Sequence, residues 1–427
     1  MKKSGLFVLA LVSGMATAQF KVEIEAPANF APTEVYLYTL NGSKDVLNSK
    51  QVKKGNMLSF NVSQPYTGMM KLYFPQNNAS VNFISENKNV KFKLESAQDK
   101  ITNVIYLDEP NKIMNDMQDI QQKKEYILPA LYQIKEYYGD SSGFGSALNS
   151  EILRLSGTSV TTDKYPFINF YNTNYNKYVV KSATSPKHTH TDLIEFFNKS
   201  NNMLETSSLM RPILMTYLNI GPNTQLRQDV DKLLKAVNLE TPRGQTILSE
   251  LIDLFGMYEM TALKEHYLTE AKNLKCTIND RLSGTIAVNT NTQVGATFTD
   301  YKFTNAVNTS AKSIHGVKAD RKVILFWSST CSHCIAELPK LLEKYSALKG
   351  MNAEIIALSL DSEQKSYQDK AGSLPWINDA ELRGWYSSYA ETYGVNATPT
   401  YFVLDSSNKI IAKPDHAEDV FSFLKIK

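Results

Sequence analysis

Cys331-Ser332-His333-Cys334 is where residue type and spacing in this chain converge on a reaction. The four residues follow an apolar run, Val323-Ile324-Leu325-Phe326-Trp327, suited to a buried strand, and open a segment from Ile335 to Leu348 with helical periodicity. A thiol at a helix start faces unpaired N–H groups and the positive end of the helix dipole, both of which favour its thiolate. The two-residue spacer sets the second sulfur one turn inside the helix, within reach of a mixed disulfide on the first. Cys331 is thus the expected nucleophile and Cys334 the buried resolving thiol, with a protonated His333 further favouring the Cys331 thiolate. Such a pair needs no cofactor, because the electrons reside on the sulfurs, and lowering the Cys331 pKa makes the disulfide a stronger oxidant. Two other readings of the motif are a static bridge, which would close a tiny loop of little entropic benefit, and half a zinc site. Zinc would need two further ligands, for which only Cys276 and scattered histidines are left; no metal is expected.

The elements that must carry this pair occupy a third of the chain. After Ile335–Leu348, a second buried-type strand spans Ile355 to Leu360, and a helical run is expected from Asp379 to Tyr393. Strand-like Tyr401-Phe402-Val403-Leu404 and Ile410-Ile411 follow, then a closing helix through Val420 and Phe423. Strands alternating with helices imply a partly parallel sheet covered on both faces.

With 427 residues, 42% hydrophobic and 21% charged, the chain is long enough for several packed domains, and three cysteines cannot staple so large a fold. A net charge of +3 gives no reason to expect nucleic acid or an anionic membrane as partner. Lys2 and Lys3, the short apolar run Leu6–Val12 and small residues at Ala16 and Ala18 have the layout of a cleaved secretory signal, too short to span a bilayer. No cysteine stands at the cleavage point, so export to the periplasm without a lipid anchor or a membrane span is expected, in a space where disulfide chemistry occurs. The expected domains are a signal peptide over 1–18, a small antiparallel β sandwich over 19–97, a mainly helical domain over 98–278 and an α/β domain over 279–427. Phe167, Phe170, Tyr171 and Tyr175 make an aromatic stripe read as core. His188, His190 and Asp192, around an expected N-cap at Thr191 and beside Ser185-Pro186-Lys187, are read as a solvated loop. Cys276, the odd cysteine, is expected to be buried and inert, with a regulatory partnership to Cys331 as the alternative.

The segment Phe326-Trp327-Ser328-Ser329-Thr330-Cys331-Ser332-His333-Cys334, then Glu337-Leu338-Pro339, resembles the active-site stretch of thioredoxin-fold proteins, and most of all the exported TlpA/ResA-like thiol–disulfide oxidoreductases in their multidomain Bacteroidota form. Downstream, Tyr393-Gly394-Val395-Asn396-Ala397-Thr398-Pro399-Thr400-Tyr401-Phe402-Val403-Leu404-Asp405 is similar to the family's second signature, whose proline is cis. The resemblance covers about Val294 to Lys427 and implies a thioredoxin fold there. It implies that Thr398 and Pro399 lie beside the cysteines, with the Thr398 backbone open to a substrate strand. It also implies that Trp327 packs beside the site on its substrate-binding side, that Pro339 kinks the helix, and that Glu337, on the face of Cys334, modulates its proton. Leu325 stands where thioredoxins have a buried acid, Thr330 where they have a tryptophan, and the Ser-His spacer differs from that of many reductants, which leaves both directions of electron flow open. The implied partners are protein or small-molecule disulfides and dithiols, together with a redox partner. A non-catalytic docking protein and a dithiol metal- or haem-delivery factor are the other classes considered.

Overall fold

A computed structural model describes residues 20–27, 30, 32, 34–97, 100–139, 142–180 and 188–426. The signal-like segment 1–18 and Ser185-Pro186-Lys187 lie outside the described residues.

Among the described residues, eight strands come first: β1 (Phe20–Glu25), β2 (Glu34–Asn41), β3 (Lys44–Val52), β4 (Met57–Val62), β5 (Thr67–Phe74), β6 (Ala79–Glu86), β7 (Val90–Ala97) and β8 (Lys100–Tyr106). They form two four-stranded sheets, β4-β1-β7-β8 and β3-β2-β5-β6. Alternation explains the sandwich: Val22, Ile24, Leu58, Phe60, Phe92 and Leu94 turn inward at every second position and meet Leu37, Leu72 and Phe83 from the other sheet. Two expectations need correction. The sandwich is not wholly antiparallel, since β1 runs parallel to β7 (Val22↔Val90, Ile24↔Phe92). Nor does it stop at 97, because that boundary falls within the β7–β8 pair, where Ala97 faces Lys100. None of the residues of β8 is fully buried, so the strand shows no core-facing alternation.

Among the described residues, ten α-helices follow: α1 (Glu109–Lys135), α2 (Gly143–Gly157), α3 (Pro166–Tyr178), α4 (His190–Lys199), α5 (Met203–Thr206), α6 (Met210–Leu218), α7 (Leu226–Val237), α8 (Pro242–Met257), α9 (Thr261–Asn273) and α10 (Asp280–Asn291). The aromatic stripe of α3 is core, with Phe167 and Tyr171 buried. Thr189 rather than Thr191 caps α4, in a capping box with Asp192. The helical layer is joined to the sandwich by buried polar groups: Asn111 exchanges two hydrogen bonds with the backbone of Ile84 (2.8 and 3.0 Å), and Glu86 accepts from the first free N–H groups of α3. The helical region extends past 278, since Leu282 of α10 belongs to its core.

The last unit contains β9 (Arg321–Trp327), α11 (Ser332–Gly350), β10 (Ala353–Ser359), α12 (Gln364–Ala371), β11 (Ile377–Ala380), α13 (Ser388–Thr392), β12 (Thr400–Asp405), β13 (Ile410–Ala412) and α14 (Ala417–Leu424). Its sheet has the order β11-β10-β9-β12-β13, with β9, β10 and β11 parallel, and β12 antiparallel to both neighbours. Val323, Leu325 and Trp327 face the core under α11 and α14, whereas Ile324 and Phe326 face a second core with Phe298, Tyr389 and Tyr393. The expected helix from Asp379 to Tyr393 is largely absent: its start is strand β11, and only Ser388–Thr392 is α-helical. Asp379 can be buried in a strand because Tyr301 Oη, Thr304 N and Asn305 N donate to it at 2.6–3.0 Å.

Candidate active site

The chain leaves β9 at Trp327 and reaches Cys331 through Ser328, Ser329 and Thr330. Cys331 is the N-cap of α11: its carbonyl accepts from Ile335 N (3.0 Å) and its Sγ accepts from Cys334 N (3.2 Å). Cys331 Sγ in turn donates to Thr398 O at 3.3 Å. The Thr398–Pro399 peptide is cis. The site therefore joins the start of α11 to the start of β12, which lies against β9 in the sheet.

Both cysteines are thiols, and their surroundings drive them apart. Burial alone would raise the Cys331 pKa, but hydrogen bonds from the Cys334 thiol, from Thr398 and from the N–H groups of Cys334 and His333 hold it below the usual thiol range. Cys334 is fully buried; burial first, and then the neighbouring sulfur, push its thiol up to about 12. His333 acts on Cys331 through its backbone N–H, while its own side chain is exposed.

The sequence pattern did not flag Asp361. Its buried carboxylate accepts from Ser328 Oγ (2.9 Å), Ser329 N (3.0 and 3.1 Å), Ser329 Oγ (2.8 Å) and Ser359 Oγ (2.6 Å). These bonds fix the turn that delivers Cys331 to the helix start. Ser328-Ser329 two residues before the first cysteine was the available signal, but its partner lies 32 residues downstream.

Glu337 is buried on the Cys334 face of α11. Its oxygens accept from Ala417 N (2.6 Å) and Tyr401 Oη (3.1 Å), with Lys340 Nζ at 3.4 Å, so it ties α11 to α14 and β12. Among the described residues it makes no hydrogen bond to either sulfur. Trp327 packs beside the pair, in one core cluster with both cysteines, but it is fully buried against Tyr367 and so cannot itself touch a substrate, because its place in the β9 alternation points it inward. Cys276 is half-buried rather than buried, and accepts from Gln245 Nε2 at 3.4 Å. His188 Nε2 is engaged with Lys177 O (2.7 Å), and Asp192 is spent on its helix cap. Asp231, His266 and Glu270 come within 4.8 Å of one another, but His266 already meets Arg227 (3.3 Å) and Asp231 accepts from Tyr267 Oη (2.8 Å).

Residues 321–410 match a family described as thioredoxin-like. This part of the chain is a thioredoxin-like domain. Tryparedoxin from Trypanosoma brucei brucei is 26% identical over 111 residues, which are 25% of this chain and 77% of that protein. The thiol-disulfide oxidoreductase ResA of Bacillus anthracis is 31% identical over 90 residues, 20% of this chain and 49% of ResA, so the chain spans about half the length of ResA. Among solved structures, the thioredoxin domain of a thiol-disulfide oxidoreductase from Bacteroides vulgatus is 21% identical with a TM-score of 0.29, covering 31% of this chain and 96% of that one. StoA from Bacillus subtilis is 22% identical with a TM-score of 0.25, covering 30% and 96%. All these matches cover 31% of the chain or less, and the family match places the thioredoxin-like domain at its C-terminal end. No helix among the described residues is long and apolar enough to cross a membrane.

Proposed function

We propose that the protein is an exported thiol–disulfide oxidoreductase, delivered to the periplasm by a signal peptide over residues 1–18, and that Cys331 and Cys334 carry its electrons. One observation carries this reading: Cys331 caps α11, accepts from Cys334 N and lies 3.3 Å from Thr398 O, while the two thiols are shifted in opposite directions. The Cys331 thiolate attacks one sulfur of a substrate disulfide and expels the other as a thiolate. Cys334 loses its proton and attacks Cys331 Sγ in the mixed disulfide, releasing the second substrate thiol. The substrate gains two electrons and two protons, and the pair becomes a disulfide. In the opposite direction, substrate dithiols are oxidised by the same steps reversed, and a redox partner restores the starting state of the pair.

In this reading Thr398 and Pro399 form the loop against which the substrate lies. Asp361 and Glu337 are positioning residues, the first for the turn before Cys331 and the second for α11 as a whole. The test uses the full-length mature protein: pre-reduced wild type reduces a small disulfide and Cys331→Ser does not, and equal rates would overturn the reading. Direction is read from the reduction potential of the pair, a reductant lying near the thioredoxin value of about −270 mV and an oxidant near about −120 mV. N-terminal sequencing of protein recovered from the periplasm should begin at Gln19.

A further inference from the structure

The second half of α1 is anchored along one side only. There Gln121 Nε2 donates to Asn172 Oδ1 of α3 at 3.2 Å and Lys124 Nζ to Ser156 O of α2 at 3.0 Å, while Leu128 and Leu131, on the same side, are half-buried. At about 100° per residue, Tyr126, Ala130, Ile134 and Tyr137 fall on the opposite side, with Ile127 at its flank. All of these are exposed. Tyr126 is 73% and Tyr137 86% exposed, and Tyr138, at 48%, makes an edge contact with half-exposed Phe144 at 4.7 Å between ring centroids. At about 200 Å² per aromatic side chain, the three tyrosines leave roughly 400 Å² in water and Phe144 about 100 Å² more. A contiguous apolar face of this size marks an interaction surface. Covering it on two copies removes roughly 1,000 Å², the area that a specific interface needs, before Ile127 and Ile134 are added.

The stripe is complementary to itself. When two α1 helices lie antiparallel with a twofold axis at Ala130, residues equally far before and after that position meet. Tyr126 then packs on Ile134 of the second copy, and Lys123, paired with Asp119 in its own helix, reaches the ring of Tyr137. Ala130 on the axis is small enough for the helices to approach to the usual spacing of about 8–10 Å. Tyrosine is also among the residues enriched where proteins meet. A lipid surface fits less well. Between Asp116 and Tyr138 four acidic residues outnumber three basic ones, whereas helices that lie on membranes carry a face rich in lysine and arginine.

We infer that the exposed stripe of α1 is a homodimer interface, in which two copies of the chain pack their α1 helices antiparallel about a twofold axis at Ala130. None of its residues lines the cleft of about 1040 Å³ that His333, Thr398, Pro399 and Trp385 border beside the cysteine pair. Substitutions in the stripe therefore leave the redox site untouched.

The experiment is sedimentation equilibrium of the full-length mature protein from about 1 to 100 μM, a range that brackets micromolar association. Wild type should show a reversible monomer–dimer equilibrium. Ala130→Arg sets two like charges on the axis and should weaken association by at least about tenfold, as should Ala130→Glu. An equimolar mixture of the two variants should recover the dimer, because opposite charges then face each other. Ala130 is exposed in mid-helix, where arginine and glutamate are good helix formers. Both variants should therefore keep the wild-type unfolding midpoint and the wild-type rate with a small disulfide. A wild type that stays monomeric at the highest concentration overturns the proposal, as does a dimer that neither variant weakens. Weakening by both variants without recovery in the mixture overturns the twofold arrangement. Monomers that bind vesicles of phosphatidylethanolamine and phosphatidylglycerol, and lose that binding in Ala130→Glu, would assign the stripe to a lipid surface instead.

Discussion

Cys331 and Cys334 stand three positions apart, yet one faces the free N–H groups of α11 and the other is buried beneath it. The alkylation rate of the reduced protein should therefore have two limbs in pH. Cys331 reacts with a midpoint below the ordinary thiol value of about 8.5, whereas Cys334 stays unreactive until the pH approaches about 12. Mass spectrometry of peptides from a pH series checks this, and equal labelling of both residues at pH 7 would contradict the asymmetry. Asp361 acts at the same scale. Asp361→Ala removes the acceptor for Ser328, Ser329 and Ser359 at a buried position, with an expected loss of about 1–3 kcal/mol in denaturant unfolding. With the turn released, the Cys331 alkylation midpoint should also move up toward the ordinary value, a shift that loss of stability alone does not produce.

At the scale of elements, α11 is held at its cysteine-bearing end by Glu337, whose carboxylate takes hydrogen bonds from β12 and from the start of α14. Glu337→Ala leaves Tyr401 Oη and Ala417 N without that acceptor, and should lower stability by about 1–3 kcal/mol, measured as the denaturation midpoint. Much at this scale was legible in the sequence. Strand β9 and helix α11 announce themselves because an apolar run and a 3.6-residue period each arise from burial within the element itself, and the cysteine pair and Pro399 sit at their expected junctions. Strand β11 was not legible, since its buried Asp379 is offset by donors more than seventy residues away. Asp361 was hidden in the same way, because its partners Ser328 and Ser329 lie 32–33 residues upstream. Local pattern reports what an element buries on its own; it carries no signal for groups satisfied from afar.

Across the whole molecule, Glu250 is the polar link where the sandwich, α8 and α10 meet. Burial raises the pKa of this carboxyl, but Arg281 and then Arg211, with hydrogen bonds from Ser43, outweigh it and hold it below the usual carboxylate range. The stabilisation is therefore present above the unfolded-state value of about 4.3 and is lost as pH falls through the lower folded-state value. Glu250→Gln leaves Arg281 buried with half its compensation, and should cost about 3–5 kcal/mol at pH 7. The gap between variant and wild type should narrow as the pH falls below 4, as read from urea unfolding, and a gap independent of pH would contradict the ionic account. The placement of the aromatic residues has an optical consequence. All three tryptophans of the chain, Trp327, Trp376 and Trp385, belong to the C-terminal domain. Trp327 shares a core cluster with both cysteines, and half-exposed Trp385 lines the cleft. Intrinsic fluorescence excited at the indole band thus reports on the thioredoxin-like domain alone, with one fluorophore beside the dithiol and another at the cleft, while the preceding 270 or so described residues stay dark.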